Sequence, residues 1–338
     1  MDRRTFLKSL LALGVSAWIP NGLRGQSPLP PSDPLGEVLP LRPLGNTGIA
    51  VTMLGLGGAH LGRATEKEAE RIIRLALEGG IRFFDNAQVY SGGRAEERYG
   101  KYLPRQHRER LFLMSKTTAT DARTARKDLE RSLRRMRTDY LDLWQVHAVG
   151  SPWDARNRQQ GGIFEVMLEA QQEGKVRFIG FTGHRHPDGL LAMLELTKDN
   201  PIFQTCQMPV NVLDAIANTS FIEAVMPKLI EQKMGILAMK TLAEGHFFAK
   251  TYQRGKLRWK TSRPIIPDRL SVGEALTFVW SLPISVLITG AETNAHLAEK
   301  IRLARTFQTL SDAEKQTILD KIMDLAESQE YEHYKKHT

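Results

Sequence analysis

The stretch Gly80-Ile81-Arg82-Phe83-Phe84-Asp85-Asn86-Ala87-Gln88-Val89-Tyr90 runs from a few apolar residues to a carboxylate, and then into a loop that holds a tyrosine. A run this short and this apolar reads as a strand over Arg82–Asp85, buried on both faces. The pattern recurs: Leu111–Lys116 stops on a lysine, and Leu141–His147 stops on a histidine. Further runs at Met53–Gly57, Val176–Phe181, Phe203–Met208, Ile236–Met239 and Val286–Thr289 bring the number to eight. Helix-period stretches separate them at Glu66–Glu78, Ala95–Tyr102, Ala122–Met136, Phe164–Glu173, Pro187–Lys198, Phe221–Lys233 and Val272–Leu282. Strand and helix in alternation predict a parallel sheet, and eight strands predict its closure into a (β/α)8 TIM barrel. Alternation alone leaves a doubly wound open sheet as the other arrangement.

Outside this repeat the chain has distinct ends. Leu41–Val51, with Gly45-Asn46-Thr47-Gly48 between two extended runs, predicts an N-terminal β-hairpin. Ser311–Gln329 predicts a C-terminal helix, so the barrel spans 41–310 and the helix and tail 311–338. Residues 27–40 are rich in Pro, Ser and Gly and read as a linker. Residues 1–26 open with Asp2-Arg3-Arg4-Thr5-Phe6-Leu7-Lys8, followed by an apolar stretch from Leu10 to Ile19. A basic start, a short apolar middle and small residues at Val15-Ser16-Ala17 are the layout of an export signal. The apolar run is shorter than the roughly 20 residues a bilayer requires, so no stable membrane insertion is expected. The arginine pair resembles a twin-arginine signal, which implies the export machinery as a partner and a periplasmic or otherwise extracytoplasmic location.

The formal net charge is +9, and the leader contributes +3 of it. The remaining excess lies on helical stretches such as Arg123–Arg137 and reads as a solvated face. No basic stripe with interleaved aromatics is present, so nucleic acid is not an expected partner. A mild positive field also favours an anionic dinucleotide. The single cysteine, Cys206, sits in an apolar run and cannot form an internal disulfide.

In such barrels the site lies at the C-terminal ends of the strands. Asp85, Lys116 and His147 each end a predicted strand, and Tyr90 follows Asp85 by a short loop. Together they suit carbonyl chemistry. A tyrosine hydroxyl can give the proton, but its ordinary pKa is about 10. A nearby ammonium, Lys116, favours the phenolate and is expected to lower that value. Asp85 would hold Lys116 charged and oriented, and His147 would hydrogen-bond the substrate oxygen. Taken singly, the four read as a helix cap, a strand-end lysine, loop packing and a satisfied buried histidine. Their occurrence at neighbouring strand ends carries the catalytic reading.

At these residues the chain resembles the aldo/keto reductase family. Gly80–Tyr90 is similar to the family's aspartate–tyrosine motif, and Glu96-Glu97-Arg98-Tyr99-Gly100 follows it as in the family. Leu113-Met114-Ser115-Lys116-Thr117 resembles the lysine strand, and Asp139–His147 the histidine strand. The resemblance covers about Leu41 to Phe307. It implies Asp85, Tyr90, Lys116 and His147 as a catalytic tetrad acting on a small carbonyl or alcohol substrate, with NADP(H) ahead of NAD(H). It also implies a cofactor set. Thr182 stands where the family has a serine and Gly183 where it has an asparagine, so one amide toward the nicotinamide carboxamide is missing. Gln207 matches a second carboxamide contact. Met239 takes the place of an aromatic against the nicotinamide ring. Leu242 and Gly245 resemble the turn over the pyrophosphate. Gly290, Thr293, Glu299 and Lys300 lie in the segment that resembles the adenosine site, where Glu292 would repel a 2′-phosphate.

Other chemistries fit less well. Gly55-x-Gly57 begins a dinucleotide fingerprint, but His60 stands at its third glycine position. His184 and His186 lack carboxylates at metal-ligand spacing and read as a surface turn, so no metal site is expected. A non-catalytic dinucleotide-binding sensor or accessory subunit on the same barrel would not need the complete tetrad. The substrate rim is expected from Ala148–Gly162, with Trp153, and from Ala243–Pro267, with Phe247, Phe248, Tyr252 and Trp259. Lys250, Arg254 and Lys256 in the second loop read either as a solvated basic loop or as a loop that closes over a pyrophosphate. Together with export in the folded state, this suggests a dinucleotide that stays bound through turnover.

Overall fold

The computed structural model describes residues 31–253 and 255–335. The export-signal reading of 1–26, the first residues of the expected linker and Arg254 lie outside the described residues.

The strands, in chain order, are β1 (Ser32–Asp33), β2 (Gly36–Glu37), β3 (Leu41–Pro43), β4 (Ala50–Thr52), β5 (Leu54–Gly57), β6 (Phe83–Asp85), β7 (Phe112–Thr117), β8 (Leu141–Val146), β9 (Val176–Thr182), β10 (Thr205–Pro209), β11 (Gly235–Met239), β12 (Lys250–Gln253), β13 (Lys256–Lys260) and β14 (Val286–Thr289). Eight of them close a barrel in the order β5-β6-β7-β8-β9-β10-β11-β14, each parallel to its neighbours. This is the (β/α)8 barrel, so the open-sheet alternative is excluded.

The helices are α1 (Gly58–Leu61), α2 (Glu66–Glu78), α3 (Arg94–Tyr102), α4 (Ala122–Met136), α5 (Pro152–Gln160), α6 (Ile163–Gln172), α7 (Pro187–Leu196), α8 (Phe221–Ala224), α9 (Met226–Glu231), α10 (Val272–Trp280), α11 (Asn294–Arg305) and α12 (Asp312–Asp320). Local sequence explains their starts. Thr65 with Glu68, Ser271 with Glu274 and Ser311 with Glu314 form capping boxes, each satisfying otherwise orphaned N-terminal donors.

The structure departs from the sequence expectations at several elements, among them α11, a helix where none was expected. The helix expected over Phe221–Lys233 is interrupted at Val225, because Pro227 cannot continue the hydrogen-bond ladder and instead starts α9. The last helix ends at Asp320 and is followed by a short turn at Met323–Leu325. The loop expected at Ala148–Gly162 contains α5, capped by Ser151. Residues 243–267 are not a plain loop but carry the β12–β13 hairpin. Within the expected linker 27–40, the described part is folded: β1 pairs with β2, Leu39 is 1% exposed and Asp33 accepts from Arg82 Nε at 2.8 Å. A hydrophobic cluster and a buried ion pair thus fix a stretch whose composition reads as flexible.

The β3–β4 hairpin plugs the N-terminal end of the barrel. Arg42 on it donates to the carbonyls of Trp280 at 2.7 Å and Ile284 at 3.2 Å. Leu44 and Val51 join Phe83, Phe112, Met114, Leu143, Leu237, Val286 and Ile288 in one buried cluster inside the barrel. These strand residues share one parity, the inward face of the pleat. Counting on by twos from them reaches Asp85, Lys116, His147 and Met239, so the same alternation that packs the floor aims these side chains at the mouth. Trp144, Ile179, Phe181, Cys206 and Ile236 have the opposite parity and pack in the outer layer between strands and helices.

Candidate active site

Asp85 is the last residue of β6, and Lys116 is the next-to-last residue of β7. Lys116 Nζ lies 2.5 Å from Asp85 Oδ1, 2.7 Å from the Asn86 carbonyl and 3.4 Å from Tyr90 Oη. The lysine is 1% exposed. A charge this deeply buried persists only with a partner, and Asp85 supplies it. Tyr90 sits at the start of a short 3₁₀ turn whose Ser91 and Gly92 are left-handed, with φ +54° and +68°. The kinked turn swings the phenol back over Lys116, whose ammonium stands 5.1 Å from the ring centre. His147 follows β8 and meets the Tyr90 ring edge-on, at 5.7 Å between centroids. The four residues named from sequence are therefore together at one mouth.

Their electrostatics correct one expectation. Lys116 does not lower the Tyr90 pKa: burial raises it well above 10, and Asp85 adds to the rise. The larger cause is burial, which disfavours the phenolate, and the carboxylates of Asp85 and Glu244 act in the same direction. Burial pulls Lys116 itself down, against the pull of Asp85. His147 is pushed well below 6.5 by burial and by Lys116, so its imidazole is neutral at pH 7. Its Nδ1 is buried and has no partner among the described residues.

The neighbouring strand ends continue the wall. Gln207 on β10 lies beside Thr182 on β9 in register. Gln207 Nε2 donates to Asp85 Oδ1 at 3.3 Å, which leaves its Oε1 buried without a protein partner. An acceptor left in this state fits the amide hydrogens of a nicotinamide carboxamide. Gly183, at the position where an asparagine was expected, is enforced by packing: a Cβ there would lie 2.6 Å from the Val149 carbonyl oxygen. Met239 ends β11, and after it Lys240, Ala243, Glu244 and Gly245 all have positive φ, at +60°, +46°, +58° and +94°. Three of these are not glycine, so the turn at Leu242–Gly245 is strained. Lys240 Nζ forms an ion pair with Glu244 inside it.

At the adenosine-like end, Thr293 is the N-cap of α11 and accepts from the His296 amide at 3.2 Å. Lys300 points back to the strand end, donating to Thr289 Oγ1 and the Gly290 carbonyl at 2.8 Å each. Burial lowers its pKa to about 8. Glu292 and Glu299 are exposed. Gly290 packs under His60: a Cβ there would fall 2.0 Å from His60 Nδ1. Lys240 and residues 331–335 carry no mark in the sequence, and His60 stood out there only as the residue at the third glycine position of a dinucleotide fingerprint. The rim also differs from expectation, since Phe247 is fully buried in the core while Trp153 is 68% and Tyr252 51% exposed.

The sequence model of the aldo/keto reductase family matches residues 53–327. The chain belongs to the aldo/keto reductase family. As an aldo/keto reductase it is an oxidoreductase of a family that uses nicotinamide cofactors. It is 27% identical over 243 residues to L-galactose dehydrogenase of Arabidopsis thaliana, a match covering 66% of this chain and 70% of that protein. It is 31% identical over 226 residues to the uncharacterized oxidoreductase YrpG of Bacillus subtilis, covering 60% of this chain and 66% of the relative. The solved aldo-keto reductase AKR11C1 from Bacillus halodurans, in its holo form, superposes with a TM-score of 0.68 at 24% identity, over 88% of this chain and 100% of that one. Among the described residues no helix is long and apolar enough to cross a membrane.

Proposed function

We propose that this aldo/keto reductase interconverts a carbonyl and an alcohol on a small molecule, with Tyr90 as general acid and base. The observation that carries this reading is the chain from the buried Asp85–Lys116 pair to the half-buried Tyr90 hydroxyl, with the neutral His147 against the same ring. Reduced nicotinamide supplies the hydride when bound. Tyr90, held protonated by burial, donates to the oxygen as negative charge develops on it. Lys116, already ionised against Asp85, fixes the hydroxyl from its other side. His147 Nε2, neutral, is placed to hydrogen-bond the same oxygen.

For the cofactor we assign the carboxamide to Thr182 and Gln207, the nicotinamide face to Met239, and the pyrophosphate to the turn at Leu242 and Gly245. Gly290, Thr293, Glu299 and Lys300 line the adenosine end. NADP(H) is the preferred form in this reading, with Lys300 turning outward to reach a 2′-phosphate. Tyr90→Phe should lower turnover by about 10²–10⁴-fold while leaving the affinity for NADPH and NADH, measured by titration, nearly unchanged. Wild-type turnover in this variant would remove Tyr90 from the mechanism.

We further propose that residues 1–26 export the folded protein, so that it works outside the cytoplasm. Converting Arg3 and Arg4 to lysine keeps the charge and removes the guanidinium pair. Cell fractionation should then find the protein retained in the cytoplasm, and unchanged delivery would reject a twin-arginine route.

A further inference from the structure

The family match stops at residue 327, yet the chain continues as an ordered, buried segment over the barrel mouth. Tyr331 is 0% exposed, and Glu332, Tyr334 and Lys335 are 6–8% exposed. Three sets of contacts hold this segment. At its end, Lys335 Nζ is 2.6 Å from Asp214 Oδ1, 2.5 Å from Glu332 Oε2 and 2.9 Å from the Thr219 carbonyl. Asn211 Nδ2 donates to both Glu332 Oε1 and Tyr334 Oη at 2.9 Å. In the middle, the Tyr334 ring receives the Lys240 ammonium at 5.4 Å and the His184 ring at 6.3 Å. It thus bridges the chain just beyond β9 and the chain just beyond β11.

The third set reaches the β12–β13 hairpin. Trp259 Nε1 donates to His333 Nε2 at 3.1 Å, and the Tyr331 hydroxyl donates to the Arg263 carbonyl at 2.5 Å. His246, directly after the strained turn, hydrogen-bonds the Tyr331 carbonyl at 3.1 Å and lies 5.0 Å from the Trp259 ring and 4.9 Å from the His333 ring. The tail therefore grips the turn from both ends, at Lys240 and at His246. Left-handed non-glycine residues persist only where their surroundings over-determine them. Here the turn's own backbone bonds and the Lys240–Glu244 ion pair do part of this, and the tail adds the contacts at Lys240 and His246 that tie the turn to the rest of the mouth.

We infer that residues 330–335 are part of the dinucleotide site: a clasp that holds the Lys240–Gly245 turn in its binding shape and sets how fast the nicotinamide dinucleotide leaves. The inference rests on the cofactor assignment above. A dinucleotide lying along this turn can leave only after the turn relaxes, and the turn relaxes only after the tail lets go of Lys240 and His246. Order imposed in advance on a binding element is recovered as slower dissociation.

The test measures release of bound NADPH from the full-length protein, chased with excess NADP and followed by loss of nucleotide fluorescence. The double variant His333→Ala with Tyr334→Ala should release at least about tenfold faster, with association changed by less than about twofold. Trp259→Phe, which keeps one aromatic ring but removes the indole N–H that donates to His333 and trims the ring contact, should release about two- to fivefold faster. It decides the matter if the double variant does not fold. Melting curves and near-UV circular dichroism verify the fold of each. Release at the wild-type rate from a folded variant overturns the clasp while leaving the cofactor assignment intact. Absence of NADPH binding in the wild-type protein overturns both.

Discussion

The two ends of the barrel interior are built from the same strands at the same parity, yet they have opposite chemistry. Near the N-terminal end, Phe83 stacks on Phe112 at 4.7 Å between ring centres, under Leu44 and Val51 of the hairpin plug. Further along the same inward face, two residues on in β6 and four residues on in β7, the strands present Asp85 and Lys116. The floor contains only groups that water repels. The mouth contains polar groups that are costly to bury: Asp85 and Lys116 persist there as a pair, while His147 Nδ1 and Gln207 Oε1 have no partner among the described residues. The difference teaches that stability and chemistry are separable along one strand, two residues apart.

That separation can be broken from either side. Lys116→Met should have the largest effect, because it leaves Asp85 buried without its cation, a loss of about 3–5 kcal/mol. Urea unfolding should show it together with loss of turnover, and an unchanged midpoint would mean that water reaches Asp85. Phe83→Ala, two residues from Asp85, should cost a similar or smaller amount, about 3–5 kcal/mol. Its effect should fall on stability alone, with NADPH affinity nearly preserved. If the floor variant weakens nucleotide binding as much as it weakens the fold, the two ends are not separable.

A smaller effect concerns pH. Burial holds His60 and His184 at about 4, below the 6.5 of an exposed imidazole. Between those values the unfolded chain binds protons that the native state refuses, so stability falls as pH falls from 6.5 toward 4. His60→Gln removes one such group. The melting temperature of the variant should decline less steeply than that of the wild type over this window, and parallel curves would show that His60 is protonated in the fold without cost.

The strands and the tetrad were legible in the sequence, for one reason. A strand buried on both faces holds a charge only where a partner reaches it, as Arg108 and Arg177 reach Asp142, so Asp85, Lys116 and His147 at the far ends of their apolar runs stand out. Tyr90 was legible by its distance from Asp85. The cofactor side was less so, because much of its shape is backbone: the positive φ of Lys240, Ala243 and Glu244 leaves no mark in residue type. Gly183 looked like a lost contact, and only packing against the Val149 carbonyl explains it. The β12–β13 hairpin did leave a signal, the alternation of Lys256-Leu257-Arg258-Trp259-Lys260 after Gly255. The tail left none. Glu332, Tyr334 and Lys335 show no period, and their partners lie more than a hundred residues away. The direction of the Tyr90 shift was also beyond reach, since it depends first on how far the phenol is buried in the folded mouth.

Cys206 adds a practical consequence. It is the chain's one thiol, fully buried beside Gln207, and burial pushes its pKa well above the ordinary value. A thiol in that state cannot react until the sixth barrel strand comes loose from its helices. The native protein therefore carries an internal clock. Slow labelling by an excess of thiol reagent would time the rarest openings of the barrel wall, with no engineered probe. The same silence leaves the surface free for a single introduced cysteine to be labelled alone.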